Sequence, residues 1–287
     1  MTSASRPRPH HRATVVLSLL LLLTVGCTGL LQNIGARWVT RQIAAEFDLD
    51  EAQTEATRAS VDRIIQKAPG ALTTRVDMLV ATVDAAIAKG LTEKKLLGME
   101  RQVDALLDIV AAAIIDEAAP ILATLRDEQI DFVEARIRTR LEEAKEEIAK
   151  PKEERLEKRQ DAFVEAVDDW ADDLAEEQDK ALREFVAGLP DEATARLATD
   201  YVRLERMGAL FRKHPGAQAI RDGLWGEWKR REDWGPDARP PQARRAEGRQ
   251  ALLFVYGMLS PEQRDHASEH LHELHEKVKT FLSGSAS

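Results

Sequence analysis

Apolar residues in this chain return at every third or fourth position over long stretches and almost never alternate, the spacing that lines one face of an α-helix. Leu31, Ile34, Trp38, Ile43 and Phe47 set out a first helix over Leu30–Phe47. Ile130, Val133, Ile137, Leu141, Ala144 and Ile148 form a second stripe, continued by Leu156, Phe163, Val167, Trp170 and Leu174. The longest element is therefore predicted from about Asp127 to Ala187, kinked or divided at Pro151. Between Glu142 and Arg159 thirteen of eighteen residues are charged, with Glu and Lys or Arg often three or four apart. That pattern predicts a hairpin arm projecting into solvent and held by ion pairs. Further helices are expected near Pro190–Lys213 and Ala217–Arg231. A Pro-rich loop near 233–248, with Pro236, Pro240 and Pro241, precedes helices near Gln242–Met258 and Ser260–Leu282. No stretch reads as a strand. The expected fold is all-α, an elongated multi-helix bundle with a long charged helix or helical hairpin, in one domain over residues 27–283 with a frayed tail at 284–287.

One kind of helix start recurs. Leu49-Asp50-Glu51-Ala52-Gln53, Leu125-Arg126-Asp127-Glu128-Gln129, Leu174-Ala175-Glu176-Glu177-Gln178 and Leu259-Ser260-Pro261-Glu262-Gln263 share it, and Leu91-Thr92 and Leu189-Pro190-Asp191-Glu192 are similar. Asp50 and Ser260 can cap a helix while Gln53 and Gln263 reach back, and Pro190 or Pro261 suits a first turn. The Leu174 copy falls inside a helical stripe and reads as coincidence. The irregular spacing marks helix boundaries rather than a solenoid.

The N-terminus reads as an address. Arg6, Arg8 and Arg12 precede an apolar run from Ala13 to Val25, too short for a membrane span of roughly 20 residues. Residues 1–26 are expected to be a signal peptide. Thr24-Val25-Gly26-Cys27 resembles a bacterial lipobox, with Thr24 where Leu is usual. Cys27 is thus the expected lipidation site, an acylated first residue holding the protein to a membrane. Thr28 in place of Asp implies the outer membrane by the sorting rule of enteric bacteria, with the body facing the periplasm.

Composition narrows the remaining chemistry. A single Cys in 287 residues excludes a disulfide framework and a thiolate zinc site. Loss of three arginines with the signal takes the formal charge from −9 to −12, which argues against a nucleic-acid partner. Neither a phosphate-binding loop nor a nucleophile elbow is present, so no cofactor and no enzymatic activity are expected. From Arg203 to Arg249 twelve Lys or Arg face seven acids, whereas Asp161 to Glu192 carries twelve acids and two bases. The two segments are expected to pack together. The alternative is an interaction surface of Trp225, Trp228, Lys229, Arg230, Arg231 and Trp234 toward an anionic envelope component. The acids Glu165, Asp168, Asp169, Asp172, Asp173 and Glu176 around Trp170 read as a solvated face, since one helix cannot wrap a hard cation.

His266-Ala267-Ser268-Glu269-His270 matches a zinc-peptidase pattern in letters, but that mechanism needs a third ligand from far downstream, and seventeen residues follow His270. His266, His270 and Glu273 share one helix face and remain candidates for a surface metal site. The expected reading is a solvated face.

Together, Cys27, the aromatic helix with Trp38, the Phe47-to-Gln53 start, the Leu125 start and the run from Arg159 through Trp170 and Gln178 to Gly188-Leu189-Pro190 resemble an all-helical bacterial outer-membrane lipoprotein family of unknown function. The resemblance implies a lipid-anchored envelope protein with a structural or partner-binding role and no catalytic residues. The Leu259 start is also similar to those of small periplasmic chaperones and metal-stress sensors of the Spy and CpxP type, which supply the alternative function.

Overall fold

The structure is a computed structural model and describes residues 30–284. Within that range the chain forms ten helices and no strand: α1 Leu30–Phe47, α2 Glu51–Lys89, α3 Glu93–Leu122, α4 Asp127–Ala149, α5 Lys152–Ala171, α6 Glu176–Ala187, α7 Ala193–Phe211, α8 Ala217–Lys229, α9 Pro241–Met258 and α10 Pro261–Gly284. The longest is α2, whose 39 residues run straight through Pro69, and not the element predicted from Asp127 to Ala187. That stretch is three helices. Lys150 turns extended ahead of Pro151, and a second break falls at Asp172 and Asp173, both in the left-handed region with φ 55°. Asp tolerates that region because its short side chain can bond locally, and Asp168 Oδ1 accepts the Leu174 N–H at 3.0 Å across the break. The loop before α9 covers 230–240, so its expected bound of 248 is too late, and the helix expected from Gln242 begins with Pro241 in the first turn.

Six helices close a ring by successive packing, α1 on α2, α2 on α3, α3 on α8, α8 on α7, α7 on α4 and α4 back on α1. The first half of the predicted arm, in α4, belongs to this ring, and the second half opens α5. Leu141 and Ala144 of α4 are buried against Leu197 and Leu204 of α7, with Ile137, Ile148 and Tyr201 around them. The charges between Glu142 and Arg159 line the outer side, where Glu147 takes Lys150 at 3.0 Å and Lys158 at 2.6 Å. The α5–α6 pair attaches to the ring through the last two helices. Val167, Ala171 and Leu182 form a core with Phe254, Val255, Met258 and Leu259, Phe254 stacks on Phe185 at 4.6 Å, and α10 lies on both α5 and α2.

The four Leu-led starts pair two by two. Gln53 Nε2 donates to Gln129 Oε1 at 3.2 Å and Gln129 Nε2 to Gln53 Oε1 at 2.7 Å. Each amide also donates to the carbonyl just ahead of the other start's Leu, Gln53 to Thr124 at 3.0 Å and Gln129 to Asp48 at 2.7 Å. Each Oε1 accepts its own cap N–H, from Asp50 at 3.1 Å and Arg126 at 3.0 Å. Gln178 and Gln263 repeat this glutamine and backbone arrangement, with mutual bonds of 2.8 and 3.0 Å, and lack only a counterpart to the bond from Gln53 Nε2 to Thr124 Oγ1 at 3.2 Å. Their amides reach Met258 O at 2.9 Å and Asp173 O at 3.3 Å, and their Oε1 atoms take the cap N–H of Ala175 at 2.9 Å and Ser260 at 3.0 Å. The Leu174 start is therefore a functional member of the set and not a coincidence. The reciprocal geometry satisfies both donors and the acceptor of every glutamine while closing helix N-termini that would otherwise expose free N–H groups. One clasp joins α1–α2 to α3–α4, the other α5–α6 to α9–α10, and α7–α8 sit between them in sequence.

Candidate interaction surface

Charge placement separates the molecule into a neutralised side and an open one. The basic segment does not pack on the acids of Asp161–Glu192, as its composition suggested, but on α3. Arg245 bridges Asp104 at 2.6 Å and Glu232, Arg231 reaches Asp104 at 3.3 Å, Arg249 pairs with Glu100 at 3.0 Å, and Arg221 with Asp116 at 2.9 Å. Hydrogen bonds from Arg245 hold the carboxyls of Asp104 and Glu232 below the usual carboxylate range against the opposing effect of partial burial. Acids at 93, 100, 104 and 108 recur at steps of seven and four, one face of α3. That register is the signal that the segment count missed. From the acidic stretch only Glu192 meets the basic segment, through Arg239 at 3.1 Å; Asp191 pairs with Arg155 of α5.

The residues considered as an interaction surface are mostly engaged within the chain. Trp228 Nε1 donates to Asp108 at 2.8 Å with Arg231 stacked 4.3 Å from its ring, and Arg230 bonds Glu227 at 2.8 Å. Trp234 lies between Arg196 and Arg244, at 5.3 and 3.9 Å. Trp225 is half-buried on α8, and Lys229 alone of the six is an exposed side chain without an ion pair among the described residues.

The open side is the α5–α6 turn. Asp168, Asp172, Asp173 and Asp179 line an open hollow of about 600 Å³ with Val164 and Leu174. Asp179 is occupied by Arg183 at 2.6 Å. Glu165, Asp168, Asp169, Asp172, Asp173 and Glu176 form no ion pair among the described residues, and all six are exposed. Trp170, 40% exposed, stands among them with its ring against His270 at 4.7 Å.

The histidine helix works differently from its letter pattern. His270 meets Trp170, while His266 is half-buried and Glu273 exposed, and no group of three metal-ligating side chains stands together among the described residues. The histidines with acidic partners are His272, 3.3 Å from Asp84, and His275, 2.7 Å from Asp77, which with the Ser268 hydroxyl on Asp84 fix α10 to α2. The Ser268 bond, helped by His272, holds the Asp84 carboxyl below its ordinary range. Cys27 lies outside the described residues. Among the described residues no helix is long and apolar enough to cross a membrane.

No curated protein and no solved structure matches the chain. A family model matches from within α1 to Arg239, so it takes in three of the four clasp glutamines and leaves Gln263, α9 and α10 outside. By that match over residues 45–239, the chain belongs to the family of unknown function DUF6279.

Proposed function

We propose that this protein is a non-enzymatic lipoprotein of a bacterial outer membrane, anchored through acylated Cys27, whose helical body offers its acidic α5–α6 face to a basic surface of an envelope protein. The observation that carries the reading is the unneutralised face around Trp170, since Arg221, Arg231, Arg245 and Arg249 of the basic segment turn to α3 instead. Like charges crowded on one face repel by a few tenths of a kcal/mol per pair, a cost that a cationic partner relieves. The basic signal sequence and Thr24–Cys27 support the address.

Crosslinking and pull-down from intact cells with the acylated protein tests the partner. Asp169→Asn/Asp172→Asn/Asp173→Asn/Glu176→Gln should lose the partner that the wild type captures. Recovery of the same partner by both would remove the acidic face from the reading. Cys27→Ser should abolish labelling with fatty acid and release the protein from the outer-membrane fraction. Retained label would sink the anchor.

A second reading, a client-binding chaperone or metal-stress sensor of the Spy or CpxP kind, draws on the Leu-x-x-x-Gln starts and their pairing. Suppression of client aggregation by the purified chain would favour it over the partner-specific role.

A further inference from the structure

Trp38 departs from the apolar stripe of α1, while Ile43 and Phe47 keep to the face of the buried Ala36 and Thr40. The register of the stripe sets Trp38 in line with Leu31 and Ile34 as an inward position, yet Ala36 and Thr40 are buried, at 6% and 4% exposure, and Trp38 is 40% exposed. Thr40 turns its hydroxyl back to Ala36 O at 2.8 Å, which lets a polar residue sit in the seam against α2. Arg37, Arg41 and Gln42 are exposed beside Trp38. Neither Arg37 nor Arg41 has an ion pair among the described residues, and Arg41 Nε donates to Arg37 O at 3.3 Å. The acid of this helix, Glu46, is taken by Arg136 at 3.0 Å and by Arg140. The outward face of α1 thus carries one indole beside two guanidinium groups, with Gln42 on its other side.

Only Thr28 and Gly29 separate Cys27 from the first residue of α1. Three residue steps reach at most about 10 Å, so an acyl chain on Cys27 holds the start of α1 at the lipid surface. From Leu30 to Trp38 the helix rises about 12 Å. A helix standing upright would carry Trp38 clear of the headgroups, whereas one lying flat with this face down sets an indole and two arginines at the depth where such side chains are most favourable. Resting on the anchor reading above, we propose that α1 lies along the membrane and that Arg37, Trp38 and Arg41 form a second contact, with the headgroups of anionic phospholipids. The second contact fixes how the body is oriented, which a flexible acyl linkage alone does not.

The test uses the acylated chain, its acylation verified by mass, in vesicles of phosphatidylglycerol and phosphatidylcholine with brominated acyl chains. Bromine quenches an indole that reaches the interface, and Trp38 is one of five tryptophans. Quenching is expected in the wild type, at its strongest with phosphatidylglycerol. It should disappear in Trp38→Phe and fall in Arg37→Glu/Arg41→Glu to the level seen in phosphatidylcholine alone, with helical circular dichroism unchanged. An acylated wild type that is not quenched, or quenching that survives Trp38→Phe, overturns the contact and leaves the anchor standing. A chain that carries no acyl group overturns the anchor and this contact with it.

Discussion

At the first clasp Gln129 is wholly buried and Gln53 is 7% exposed, whereas at the second Gln178 and Gln263 are half-buried, although the bonds between the glutamines and to the backbone correspond. The cap residues differ as well. Asp50 and Arg126 face each other across the first clasp in an ion pair of 2.6 Å, and their counterparts Ala175 and Ser260 carry no charge. The same reciprocal glutamine pair therefore sits in unlike surroundings. A hydrogen bond counts for little more than the water it replaces when water can return, and for much more when its loss strands a buried polar group.

The sharpest way to break the comparison is to remove one amide from each clasp. Gln129→Ala takes one partner each from the buried Gln53 Nε2 and Oε1 and removes the glutamine from Asp48 O and the Arg126 N–H, and should cost about 3 kcal/mol in urea unfolding. Gln263→Ala should cost about 1 kcal/mol, because water reaches the vacated positions. Equal losses would show that burial does not distinguish the clasps. The leading leucines should follow the same order with smaller contrast. Leu125 is 4% exposed, and Leu125→Ala should lose about 2 to 3 kcal/mol. For half-buried Leu174, Leu174→Ala should lose about 1 kcal/mol.

The helix starts themselves were legible in the sequence, because Leu-x-x-x-Gln with a capping residue is local chemistry. Their pairing was not, since residues 76 and 85 positions apart meet only in the folded chain. The break at Leu174 was hidden for a different reason. Its apolar residues keep helical phase across Asp172 and Asp173, so periodicity passes over a turn made by backbone angles and the Asp168 carboxylate. The acidic face was visible as composition, but its freedom from cations depended on α3, whose acids are spaced along one helix face and do not form a charged run.

Acid separates the clasps further. The Gln53 N–H first, then the Arg126 guanidinium, holds the Asp50 carboxyl below its ordinary value of 3.8. A carboxyl lowered in the folded state stabilises fully above its unfolded pKa, and the contribution is lost as pH falls through the folded one. The difference in urea midpoint between wild type and Asp50→Asn should thus be constant at neutral pH and shrink below pH 3.8. Substituting Ala175 to Gly should give an offset without that acid limb.

The smallest effect is expected from metal. His266 and His270 lie on α10 just beyond the second clasp. A native-state site with a Kd near 1 µM would add roughly 2.7 kcal/mol at 100 µM zinc. The expected melting shift is indistinguishable from that of His266→Ala/His270→Ala, and a large shift that vanishes in the double variant would favour the metal-sensor reading.

The placement of the clasps along the chain also gives folding a direction. A polypeptide that emerges N-terminus first can close the first clasp once Gln129 is out, with all four of its helices contiguous in sequence. The second has no such local route. Its opening half, at Leu174, must wait while α7, α8 and α9 are delivered before Gln263 arrives. Until then the apolar sides of Val167, Ala171 and Leu182 lack Phe254 and Met258, and it is in this interval that the unfinished fold is most exposed to aggregation.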